Sequence, residues 1–97
     1  WLYKHRHDAE HKNAQQNQME PLLVTIRPGE QLQEDKPHEG EEFGYVISGC
    51  LNLHLGENVY TVKEGESFYF SANRTHYIGN TGVVPAKFIW VSTPPTF

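Results

Sequence analysis

The stretch that decides the fold runs EEFGYVISGCLNLHLGENVYTVKEGESFYFS, residues 41–71. At its centre Leu51, Leu53 and Leu55 alternate with Asn52 and His54, the period of two expected of a strand with one dry and one wet face. Gly49 turns the chain into that strand, and Gly56, Glu57 and Asn58 make a hairpin turn out of it into a strand over 59–62. Lys63, Glu64 and Gly65 turn again into a strand over 67–71. The segment 41–48 places Glu42, Gly44, Val46 and Ser48 on one face and Phe43, Tyr45 and Ile47 on the other. A strand dressed on both faces is covered on both, by a closed roll with a neighbour outside or by a subunit interface, and it points to a homodimer.

Working outward, residues 22–27 read as a strand stopped by Pro28 and Gly29. The polar segment 30–40 carries Pro37 and Gly40, which forbid regular structure. Residues 72–74 lead to a strand over 75–78, and the last strand, 87–92, is closed by Pro94 and Pro95. No window of twelve residues after Met19 has a helical period. Seven or eight closely spaced strands predict an all-β fold, a double-sheet jelly roll or small barrel, over residues 19–97. Residues 1–18 read differently. Segment 4–18 holds only two alanines among charged, amide and imidazole side chains, as a linker does. A short helix from Asp8 to Ala14 is compatible with it, and Trp1, Leu2 and Tyr3 read as the stub of a strand packing back on the domain.

The 97 residues suffice for one domain, which at this size buries roughly 60–70% of the surface its unfolded chain exposes. Cys50 is the single cysteine, so no disulfide helps. Eight Lys and Arg against twelve Asp and Glu give a net charge of −4, with the basic residues spread singly. That pattern offers no footprint for a phosphate backbone and predicts no nucleic-acid binding by this domain alone. No apolar run approaches the length of a membrane span, and no secretory leader is legible, so a cytoplasmic piece of a longer protein is expected.

His38, Glu42 and His76 stand out as ligand-type residues at the edges of predicted strands, where a roll would open. Two imidazoles and a carboxylate suit Fe(II) in a facial site, and also Zn²⁺, Mn²⁺ or Ni²⁺. Read from the residues alone, a solvated His38 and a His76 bonded to backbone beside Asn80 fit as well. Arg74, Ile78 and Asn80 share strand parity with His76 and, with Lys36 and Tyr45, are the candidate ligand-binding residues. His5, His7 and His11 cannot share one element's face, since the first two pair only in a strand and the last two only in a helix. Cys50 and His54 read as an edge residue and a wet-face residue, and Phe68, Phe70, Tyr77 and Trp90 as core.

HEGEEFGYVISG, residues 38–49, and GESFYFSANRTHYIGN, residues 65–80, together resemble the two motifs of the cupin superfamily. That resemblance implies a double-stranded β-helix, with Glu42, His38 and His76 at metal positions and Lys36 where the motif's first histidine would stand. A histidine introduced at 36 would then raise divalent-metal affinity. MEPLLVTIRPGE from Met19, PHEGEEFGYVISG from Pro37, EGESFYF from Glu64 and the ending WVSTPPTF are similar to the C-terminal cupin domain of bacterial helix-turn-helix regulators of the xenobiotic-response-element type. This similarity implies a sensor domain that takes a small-molecule effector, with an attached N-terminal DNA-binding domain outside this chain. The other readings are a small metal-dependent cupin enzyme, an oxygenase or isomerase using the same three residues, and a metal-free dimerisation module.

Overall fold

The computed structural model describes residues 18–94. The expected linker helix, the Trp1–Tyr3 stub and His5, His7 and His11 lie outside the described residues.

The described chain is all strand: β1 (Glu20–Ile26), β2 (Glu41–Ser48), β3 (Cys50–Leu55), β4 (Asn58–Lys63), β5 (Ser67–Ser71), β6 (His76–Gly79) and β7 (Ala86–Thr93). They form two antiparallel sheets, one ordered β1-β7-β2-β5 and the other β4-β3-β6. This is the double-sheet roll expected from the alternating pattern. Strand ends differ from the sequence reading by one or two residues; β1 begins at Glu20 because its first residues still pair with β7 through Ser92. The polar segment between β1 and β2 is irregular, as Pro37 and Gly40 require, yet Gln31 and Asp35 make single bridges to Gly79 and His76 of β6.

The parity of each strand fixes what enters the core. Leu22, Val24 and Ile26 of β1, Val46 of β2, Phe68 and Phe70 of β5, and Phe88 and Trp90 of β7 face Leu51, Leu53, Leu55, Val62 and Ile78 of the other sheet, all buried. Gly44 lies directly opposite Phe68 in the β2/β5 pairing, and a side chain there would overlap the Phe68 ring. The missing side chain is therefore a packing requirement, letting an aromatic ring lie over the β2 backbone. Gly49, at φ 78°, supplies the left-handed residue of the β2–β3 turn, where a Cβ would also strike the Pro85 carbonyl. On β2 the second apolar face is open in the single chain: Phe43, Tyr45 and Ile47 are 41%, 42% and 41% exposed. No helix among the described residues is long and apolar enough to cross a membrane.

Candidate metal centre

At one end of the roll the inner faces of both sheets turn polar. Glu42 on β2 and Glu20 on β1 flank Ser92 of β7 in one transverse row, and all three are buried. His76, the first residue of β6, faces them from the opposite sheet and is also buried. His38 comes from the irregular segment, held there by its backbone N–H donating to the Ala72 carbonyl at 2.8 Å. Loop, β2 and β6 thus bring His38, Glu42 and His76 together, with one ligand atom from each lying within 4.8 Å of the others.

The hydrogen bonds around the cluster decide its chemistry. His38 Nδ1 donates to the Glu39 carbonyl at 2.9 Å and His76 Nδ1 to the Arg74 carbonyl at 2.8 Å. A carbonyl can only accept, so Nδ1 carries the hydrogen in each neutral ring, and each Nε2 turns a lone pair towards Glu42. Glu42 divides its oxygens. Oε1 accepts the indole N–H of Trp90 at 2.7 Å, and Oε2 lies 3.2 Å from His38 Nε2 and 2.9 Å from His76 Nε2. Those are ion-pair distances, yet none of the three atoms makes a hydrogen bond, and all three are buried. Three converging acceptors with no proton correctly placed among them fit a divalent cation, and the carbonyl and indole contacts behind them are the outer partners such a site needs. Burial pulls the His76 pKa down, but the Glu42 carboxylate 2.9 Å from Nε2, the Arg74 carbonyl on Nδ1 and the charge of Asp35 outweigh it, leaving it above the ordinary histidine value.

The remaining sequence candidates are placed elsewhere. Lys36 is exposed, and it is Asp35 that turns inward, its Oδ2 lying 3.5 Å from His76 Nε2. The bridge between Asp35 and His76 explains the reversal, since directly opposed residues share a face. A histidine at 36 would thus start from the solvent side. Tyr45 is on the outer face of β2, opposite in parity to Glu42, and does not meet the cluster. Ile78 is core, one inward position along β6 from His76. Asn80 is buried and fully used: Nδ2 donates to the Ile26 and Val84 carbonyls at 3.0 and 2.9 Å, and Oδ1 accepts from Gly82 N at 2.9 Å. It is a tie between β1 and the β6–β7 loop. The Arg74 side chain is exposed and lines a different space, while its carbonyl orients His76. Sequence reasoning missed Trp90 as the partner of Glu42, and it missed Asp35 and Glu20. Glu20 carried the one available signal, a carboxylate whose parity matches Leu22, Val24 and Ile26.

Comparison with known proteins agrees with this fold. The model of the family described as Cupin domain matches residues 22–92. The chain is 33% identical over 70 residues to the mannose-1-phosphate guanylyltransferase RfbM of Salmonella typhimurium, covering 72% of this chain and 15% of that protein. It is 30% identical over 76 residues to the HTH-type transcriptional regulator PuuR of Escherichia coli, covering 78% of this chain and 41% of that protein. The chain therefore spans less than half the length of either relative. Among solved structures, the cupin domain of an XRE family transcriptional regulator from Enterobacter cloacae superposes with a TM-score of 0.72 at 23% identity, over 81% of this chain and 84% of that one. With the family model covering all seven strands but their outermost residues, and the motif residues His38, Glu42 and His76 meeting at one end of the roll, this chain belongs to the cupin family.

Proposed function

We propose that this chain is the effector-sensing cupin domain of a helix-turn-helix transcriptional regulator and that His38, Glu42 and His76 hold a divalent metal, Zn²⁺, Ni²⁺, Mn²⁺ or Fe²⁺. The observation that carries the metal reading is the convergence of two bare imidazole nitrogens and one carboxylate oxygen in a buried space with no hydrogen bond among them. When bound, the metal supplies a Lewis-acidic centre with positions left for water or effector. The protein's own contribution is orientation: two backbone carbonyls fix the rings and Trp90 fixes the carboxylate. The regulator reading is supported by the likeness to PuuR and to the Enterobacter cloacae domain. Effector binding would favour one arrangement of a homodimer, and the attached DNA-binding domains would follow in the cytoplasm. Cover for Phe43, Tyr45 and Ile47 by a second copy fits that dimer, in which Tyr69 and Ile89, paired with Phe43 and Tyr45, extend the apolar face. The domain itself leaves DNA contact to its neighbour.

Titration calorimetry with Ni²⁺ or Zn²⁺ tests the metal site. One saturable event per chain that His76→Ala abolishes supports it; no binding, or binding untouched by His76→Ala, rejects it and leaves a purely organic cavity. The coding sequence upstream of Trp1 tests the regulator reading, which requires a helix-turn-helix there. A second reading, the cupin portion of a sugar-nucleotide enzyme, is favoured by the 33% identity to RfbM and requires a nucleotidyltransferase domain there instead.

A further inference from the structure

A second space lies away from the histidine–glutamate cluster. It is a cleft of about 800 Å³ on the side of the roll where β4 and β5, the terminal strands of the two sheets, face each other. That size is in the range of small-molecule sites. Its floor is the inner face of the roll, with Leu53, Leu55, Val62, Phe68 and Phe70. Tyr60, opposite Leu53 in the β3/β4 pairing, shares that inward face yet is 47% exposed, because no strand lies beyond β4 to cover it.

The charges along the cleft are unequal. Glu66 already serves the β4–β5 turn, its Oε1 accepting the Lys63 backbone N–H at 2.8 Å. Arg74 stands by the β3–β4 turn, its Cδ 3.7 Å from where a Cβ on Gly56 would lie, and no hydrogen bond or ion pair among the described residues occupies its guanidinium. An arginine with no charge partner among the described residues, in a cleft that also holds the exposed Tyr60 ring, matches a carboxylate carried on a ring.

We propose that this side cleft is a binding site for a small aromatic carboxylate, its ring lying against the exposed Tyr60 side chain and its carboxylate meeting Arg74. The site is separate from the metal cluster but not remote from it. Phe70 forms one wall of the cleft, and its ring packs edge-on against His76 with centroids 5.1 Å apart. Arg74 touches both spaces as well, lining the cleft and orienting His76 through its carbonyl. The proposal gives the effector reading a place and a chemical class, and it rests on that reading only for its biological meaning, since binding is measured on this chain alone.

The test is a benzoate titration of the ¹⁵N-labelled 97-residue chain in EDTA, followed by amide chemical shifts, with benzyl alcohol as the uncharged control and Arg74→Gln as the variant. Arg74 is exposed, so the substitution leaves the fold intact, and the variant's spectrum verifies this directly. Saturable benzoate shifts at residues 53–74 are expected, about fivefold weaker in Arg74→Gln, as suits a charge pair at the edge of solvent. Benzyl alcohol is expected to bind the two proteins alike. No saturable shift on β4 and β5, shifts centred on His38 and Glu42 instead, or equal benzoate affinity in Arg74→Gln would each overturn the proposal. A helix-turn-helix missing upstream would remove the regulator reading and leave this result standing.

Discussion

Trp90→Phe separates the outer support of the cluster from its ligands. The substitution keeps an aromatic ring beside Phe88 but removes the indole N–H that holds Glu42 Oε1 at 2.7 Å. A hydrogen bond to a charged group contributes about 1.5–3 kcal/mol, and here the loss strands a carboxylate oxygen in a buried setting. The smaller ring adds a cavity cost of about 1–2 kcal/mol. The metal-free protein should therefore lose about 2.5–5 kcal/mol, which a domain in the middle of the typical stability range of about 5–15 kcal/mol survives. Metal affinity should fall about 10- to 100-fold, the usual effect of removing an outer partner of a metal ligand. Chemical denaturation of the metal-free proteins gives the first quantity, and competition titration with Ni²⁺ against a chelator of known affinity gives the second. The reasoning fails if Trp90→Phe is folded and binds Ni²⁺ within twofold of the original protein, because the Trp90–Glu42 contact would then be packing alone.

The same geometry sets four further outcomes. Because the His76 pKa is raised in the folded metal-free protein, its contribution to stability is fully present below about pH 6.5 and is lost as pH rises through the raised value; thermal melts in EDTA should show this component falling with pH, whereas metal affinity should rise over the same interval as protons cease to compete. A flat metal-free profile between pH 5.5 and about 8 would contradict the ion pair with Glu42. Lys36→His should leave Ni²⁺ affinity within about twofold, since position 36 faces solvent, while Asp35→Ala should weaken it about tenfold; a tenfold gain in Lys36→His would show that the loop can present residue 36 inward. Asn80→Ala removes three hydrogen bonds and strands the buried Ile26 carbonyl, so denaturant titration should report a loss of about 3 kcal/mol, and a loss below about 1 kcal/mol would mean that the β1 end holds without the tie.

The sequence carried the sheets well and the site unevenly, for reasons that lie in individual residues. Alternation across Leu51, Leu53 and Leu55 and the glycine turns on either side placed β2 to β5 nearly to the residue, because a half-buried hairpin writes its period directly into the chain. His38, Glu42 and His76 were visible by residue type and motif position. Their convergence was not, since it depends on a loop hydrogen bond to Ala72 and on two sheets facing each other. Arg74, read by strand parity, and Lys36, read by its motif position, both lie outside the strands, where a period of two says nothing about direction. Tyr45 was assigned to the site although its parity opposed that of Glu42, and the strand rule was the better guide. Trp90 looked like core and is core, but an indole has a polar edge, and which group that edge meets is fixed only by β7 lying beside β2.

The division of Glu42 between an indole and two imidazoles also has an optical consequence. Only Trp1 and Trp90 absorb as indoles in this chain. The N–H of one of them ends on the carboxylate whose other oxygen faces both histidines, so any change in charge at that oxygen, by a proton or a cation, alters the electric field at the indole. With Trp1 replaced by phenylalanine, the near-ultraviolet circular dichroism and emission maximum of Trp90 become an intrinsic gauge of what occupies the cluster, read without label, chelator or attached domain.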